Sequence, residues 1–256
     1  MEAFITYCDT VYRIDFSKPI DISIPLVNSE ANPIAWYLDK PEISPVVVGE
    51  WVGKVSEGQS STNFNTIIFN PHGHGTHTEC LGHITHEFYS VNESLKEYFF
   101  LAQLITVFPQ KQENDDYIIT LEQVMELWIP QSQKAIVIRT TPNDLSKRQR
   151  KYSYTNPPYL CADAATYLRE RGVEHLLIDL PSVDREQDDG RLLAHKAFWN
   201  VKDTHVLNQD ARLSATITEL IYVPQEVEDG FYFLNIQLAS FINDASPSKP
   251  VLYRII

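Results

Sequence analysis

Alternation of apolar and polar residues at period two recurs along this chain and predicts a protein built largely of strands. Ile20-Asp21-Ile22-Ser23-Ile24-Pro25-Leu26 alternates outright, while Val46–Val48 and Thr66–Phe69 are short runs rich in β-branched residues. Between them, Asn32–Tyr37 reads as an irregular loop presenting Trp36 and Tyr37. Tyr98–Val107 and Ala135–Thr140 have the continuous apolar character of buried strands. Leu121–Trp128 and Ala162–Arg171 are spaced as helices, the second stopped by Gly172. Leu176–Asp179 then reads as a buried strand ending in a carboxylate, and the strand–helix–strand order indicates an α/β unit. Ala215–Tyr222 and Phe231–Leu238 alternate again, with Glu226, Asp229 and Gly230 in the turn between. No repeat or polar linker divides the chain, so residues 1–256 are expected to form one domain.

Composition narrows the partners. The chain is 43% hydrophobic and 21% charged, as in ordinary soluble proteins, and carries a formal charge of −13. That balance argues against nucleic acid or an anionic membrane surface as the main partner. Cys8, Cys80 and Cys161 are odd in number and widely spaced, which makes no disulfide framework. No secretory leader is evident, and no apolar run approaches the ~18–20 residues of a membrane span. A cytoplasmic location is the resulting expectation.

The chemistry is concentrated in one stretch. Five of the eight histidines, His72, His74, His77, His83 and His86, fall between residues 72 and 86, with Glu79 among them and no lysine or arginine. Imidazoles and a carboxylate on a glycine-broken segment suit a divalent metal. In an extended segment His77 and Glu79 share a face, while His72 and His74 need a bulge at Gly73 or Gly75 to join them.

This stretch resembles the metal-binding motif of the cyclase family of metal-dependent hydrolases, His-x-Gly-Thr-His-x-Asp-x-Pro-x-His. Gly75-Thr76-His77 fits, Glu79 stands for the aspartate and His83 falls on the last histidine. Leu81 replaces the proline, and the first histidine position is Gly73, flanked by His72 and His74. The resemblance continues through Ile20–Leu26 with Trp36-Tyr37, the helix Ala162–Val173 leading to Asp179-Leu180-Pro181-Ser182-Val183-Asp184, and His195 as a distal ligand. Glu219 matches the family's Glu-Asn-Leu glutamate, and Ser246–Tyr253 is similar to its closing segment, with an insertion between His195 and Glu219.

What the resemblance implies is a single mixed α/β domain with a barrel-like core of mixed strands and flanking helices, usually oligomeric. It implies one or two divalent ions, Zn²⁺ or else Mn²⁺, held by His72 or His74, His77, Glu79, His195 and Glu219. The reaction would be hydrolysis of an amide, N-formyl amine or cyclic amide in a small molecule by metal-activated water. His83 would shuttle the proton, a task suited to imidazole, and Glu219 would be ligand, base or both. Thr76 and Asp179 would orient ligands. The competing readings are a silent metal- or ligand-binding protein of the same fold and a lyase or cyclase using the same metal. His86, His175 and His205 are expected to be structural or exposed, and Cys80 to line the pocket wall. Trp36 and Tyr37 are core aromatics or a substrate clamp. The acidic stretch Asp184–Asp189 is read most simply as a solvated loop.

Overall fold

The computed structural model describes residues 1–58 and 60–256. Eight strands form the main sheet: β1 (Ile20–Asp21), β2 (His77–Glu79), β3 (Phe99–Val107), β4 (Ala135–Thr140), β5 (His175–Ile178), β6 (Thr216–Glu219), β7 (Gly230–Leu238) and β8 (Ala245–Arg254). Their order is β7-β3-β4-β5-β6-β2-β8-β1, and β7 also pairs with β8. Seven strands therefore close into a ring, with β1 attached outside it on β8. Strands β3 to β6 run parallel, and the remaining pairings are antiparallel. The mixed, barrel-like architecture expected from the resemblance is present.

Alternation sorts the side chains into two cores. Phe100, Ala102 and Leu104 of β3, Val137 of β4, Leu177 of β5, Leu234 of β7 and Leu252 of β8 meet inside the ring. Ile105, Ile136, Ile138, Leu176, Ile178 and Ile217 point outward against α2 (Ala162–Glu170) and α3 (Leu193–Trp199). The earlier helix α1 (Leu121–Leu127) packs on the same side through Val124. It starts at a capping box, with Thr120 and Gln123 each accepting the other's backbone N–H. Gly172 ends α2 in the left-handed region at φ 82°.

Several sequence expectations change in the structure. Only Ile20–Asp21 of the alternating Ile20–Leu26 run joins a ladder, although Ile22 and Ile24 are buried. Ile22 still bonds to the backbone of Pro250 and Tyr222, but Ile24 N–H turns to Thr76 Oγ1 and Pro25 has no N–H, so the pattern beyond Ile22 records burial without a ladder. Val47–Val48 and Asn65–Ile68 are strands of small two-stranded ribbons outside the ring, with every residue exposed. The hairpin Glu2–Tyr7/Thr10–Asp15 was not anticipated; its two-residue turn, Cys8-Asp9, takes positive φ at both positions. Nor was Ala245–Arg254 expected as a ten-residue strand, because its two prolines and lysine break the alternation. Among the described residues no helix is long and apolar enough to cross a membrane.

Candidate metal centre

The shortest strand of the ring carries the site. Residues of β2 are flanked on both sides, with Glu79 opposite Ile217 and Ala245, and His77 opposite Glu219 and Pro247. His77, Glu79 and Glu219 thus share the outer face with Ile217, beneath α3. Thr78 and Thr218 meet on the other face, Oγ1 to Oγ1 at 2.7 Å. Thr76 fixes the approach: its Oγ1 accepts Ile24 N–H at 2.7 Å and donates to Leu220 O at 2.5 Å. Leu220 itself has φ 53°, so the chain turns sharply just after Glu219 and ends β6 there.

Around Glu79, which is fully buried, the distances are short. Its Oε2 lies 3.1 Å from His72 Nδ1 and 3.9 Å from both His77 Nε2 and His83 Nε2. Its Oε1 lies 3.1 Å from His195 Nε2. Glu219 reaches His77 Nε2 at 3.4 Å and His195 Nε2 at 3.8 Å, and its Oε1 accepts Val183 N–H at 2.9 Å. His195 Nδ1 sits 2.6 Å from Asp184 Oδ2. Asp184 also accepts the N–H groups of Ala194 and His195, at 2.7 and 3.2 Å, and so caps the start of α3. Burial alone would raise the Glu79 carboxyl, but the imidazoles of His83, His195 and His72 hold it well below the usual range. Burial opposes a charge on His72, yet its contacts with Asp244 and Glu79 push it up to about 10.

Three candidate ligand atoms converge beside one another. His77 Nδ1 lies 3.1 Å from Gly75 O, which can only accept, so His77 Nε2 is left as a bare lone pair. His72 Nδ1, His77 Nε2 and Glu79 Oε2 are all buried without a well-formed hydrogen bond, although His72 Nδ1 and Glu79 Oε2 lie only 3.1 Å apart. Their residues form one group whose ligand atoms lie within 4.8 Å of one another, Glu79, His83 and His195 form a second, and His72, His83 and Asp244 a third. Convergent, unsatisfied buried acceptors with imidazole and carboxylate chemistry fit a divalent cation.

The structure separates the flanking histidines. His72 joins the group, whereas His74 accepts Asn70 N–H at Nδ1 (2.9 Å) and lies 2.7 Å from Asp39 O at Nε2. His74 borders a different cleft, of about 970 Å³, with Phe69, Asn143, Arg148 and Tyr222. A cavity of about 360 Å³ opens over the cluster, lined by His72, His83, His195 and Glu219 together with Trp36, Leu38, Arg185 and Leu192. Trp36 is part of its wall, while Tyr37 packs on Tyr154 outside it. Cys80 is buried under Tyr89, its thiol directed to Tyr89 O at 3.4 Å, and does not line this cavity. His86 and His205 pack together away from the cluster, and His175 lies inside the ring against Phe100.

Two carboxylates carry more than the sequence reading assigned them. Asp184 is buried on His195, because helix α3 folds back over it, and is no solvated loop residue. Asp244 was not singled out, although it lies two residues before the Ser246–Tyr253 segment compared with the family's closing segment. Its Oδ2 lies 3.0 Å from His72 Nε2 and 3.4 Å from His83 Nδ1. Asp179 accepts from Thr140 and Lys147 and touches none of the clustered histidines.

The sequence family described as "Putative cyclase" matches residues 14–185, a stretch that contains His72–His83 and Asp184. No curated protein matches the sequence. Among solved structures, isatin hydrolase A from Labrenzia aggregata, bound there to benzyl benzoate, is 14% identical with a TM-score of 0.67, over 93% of this chain and 94% of that one. A predicted metal-dependent hydrolase from Bacillus stearothermophilus is 18% identical, with a TM-score of 0.62 over 92% and 98% of the two chains. A potential metal-dependent hydrolase with cyclase activity is 17% identical, with a TM-score of 0.63 over 93% and 98%. At such identities the likeness is one of fold.

Proposed function

The chain belongs to the cyclase family, and from that premise we propose that it is a metal-dependent hydrolase opening an amide-type carbon–nitrogen bond in a small substrate. The observation that carries this reading is the convergence of buried His72 Nδ1, His77 Nε2 and Glu79 Oε2 next to an open cavity that His72 lines. These three residues would hold one divalent cation, and His195 and Glu219, which lie near Glu79 and His77, would complete the ligand set or hold a second. Zn²⁺ suits the donor set, and the carboxylates also admit Mn²⁺. Such a cation supplies Lewis acidity, which acidifies water and polarises a carbonyl.

The remaining work falls to the chain itself. His83 stands exposed in the cavity with Nε2 turned toward Glu79, where it can take a proton from water and return it to the leaving nitrogen. The indole of Trp36 and the side chains of Leu38 and Leu192 offer an apolar wall for the body of the substrate. N-formyl amines and small cyclic amides are the substrate class of choice, the isatin hydrolases of like fold being one reason.

The test is turnover of N-formyl and cyclic amides by protein reconstituted with Zn²⁺ or Mn²⁺, for wild type and His83→Ala. Hydrolysis by wild type, falling about 10²–10⁴-fold in His83→Ala with metal content unchanged, supports the assignment. Metal uptake without turnover of any amide would favour a silent binding protein of the same fold.

A further inference from the structure

Asp244 lies just before β8 and stands between two of the clustered imidazoles. We propose that Asp244 is a positioning residue, whose Oδ2 takes the Nε2 proton of His72 and the Nδ1 proton of His83 and so aims the opposite nitrogen of each ring at the centre. This rests on the reading of His72, His77 and Glu79 as a cation site. The geometry supports it at each contact. His72 Nε2 lies 3.0 Å and His83 Nδ1 3.4 Å from the same oxygen. The two rings are stacked, with centroids 4.2 Å apart and planes at 29°, so one carboxylate oxygen can serve both edges. On the far edges, His72 Nδ1 lies 3.1 Å and His83 Nε2 3.9 Å from Glu79 Oε2.

A carboxylate on one imidazole nitrogen fixes which tautomer the ring adopts and raises the basicity of the other nitrogen. Asp184 has the same relation to His195, and Gly75 O to His77. Asp244 thereby completes a set in which every clustered histidine has its outer nitrogen occupied by a fixed acceptor. It also links His83, the most exposed of these imidazoles, with His72, whose Nδ1 faces the buried acceptors.

Two measurements test this on the intact protein. Zn²⁺ affinity, by competition with a chromophoric chelator, is compared for wild type, Asp244→Asn, His72→Ala and the double variant. The expected result is affinity 10–100-fold weaker in Asp244→Asn with unchanged stoichiometry, and no further loss when Asp244→Asn is added to His72→Ala. Second, ¹⁵N NMR of the histidine rings in Zn²⁺-loaded wild type should show His72 protonated at Nε2 and shifted by the metal at Nδ1. Affinity unaffected in Asp244→Asn, loss of a whole equivalent of metal, or ligation through His72 Nε2 would each overturn the role. Failure of wild type to take up Zn²⁺ would instead defeat the underlying site reading.

Discussion

Asp184 Oδ2 lies 2.6 Å from His195 Nδ1, and the same carboxylate accepts the first backbone N–H groups of the helix that carries His195. The ligand candidate and its helix are therefore held by one side chain from a neighbouring loop. Leu192, the residue before that helix, has φ 51° and offers no side-chain cap of its own. Asp184→Ala would leave His195 buried without its partner and the helix start uncapped. A loss of about 3–5 kcal/mol is expected in urea unfolding of the metal-free protein. The exposed Asp189→Asn, in the same acidic stretch and at a left-handed position that asparagine accepts, should change stability by no more than about 0.5 kcal/mol.

The departures from the family motif are matched to each other. Glu79 is one methylene longer than aspartate, and His72 lies one residue before the motif's first histidine position. Glu79→Asp withdraws the carboxylate by about 1.5 Å, so it should weaken Zn²⁺ uptake at least about tenfold despite conforming to the family pattern. Gly73→His should not supply the missing ligand. A Cβ at Gly73 would lie 2.5 Å from Leu38 Cδ1 and 3.1 Å from Ala35 O, on the side of the aromatic loop. A loss of about 1–3 kcal/mol with no added metal is expected. Tighter metal binding by either variant, measured by chelator competition, would contradict this account.

Much of the architecture was legible because β3 to β5 are buried on both faces and read as apolar runs, while β6 and β7 lie in alternating runs. The ladder around β2 was not legible. Three residues cannot display a period, and the register that brings Glu219 opposite His77 depends on contacts more than a hundred positions apart along the chain. Choosing between His72 and His74 needed the backbone turn at Gly73, which no alternation encodes. Asp244 was hidden for another reason: a lone aspartate before a proline-containing strand has the same appearance as any turn residue.

His175 is shifted in the opposite sense to His72 and His195. Burial against Phe100, helped by Lys134 and Arg212, pushes it down to about 3, and Thr216 Oγ1 lies 2.9 Å from its Nδ1. The folded protein then keeps His175 neutral while the unfolded chain binds a proton near ~6.5. Stability from this group is fully present above that value and is lost as pH falls toward the folded value, at up to about 1.4 kcal/mol per pH unit. His175→Gln should flatten the acid limb of metal-free stability between pH 6.5 and about 3. An unchanged limb in urea titrations would count against it.

Lys147 and Asp179 form a buried ion pair at 2.7 Å, with Lys147 also donating to Thr140 O and Oγ1. Burial lowers the lysine and raises the aspartate, so desolvation outweighs their attraction. Lys147→Met should cost about 3–5 kcal/mol by stranding the carboxylate. Asp179→Leu added to it should return part of that loss, giving a positive coupling in a double-mutant cycle. Additive effects would mean that the two charges do not act as a pair.

The closure of the ring also bears on how the protein is made. Strand β8 is the last of the ring to be synthesised, yet it flanks β2 directly and follows Asp244. A nascent chain ending before residue 245 has the histidine cluster but neither its second flanking strand nor a closed barrel. Its half-made sheet exposes one edge of β2 and one of β7, both open to mispairing. Histidines translated in the first third of the chain must therefore wait for its final segment before they face one another across a formed site.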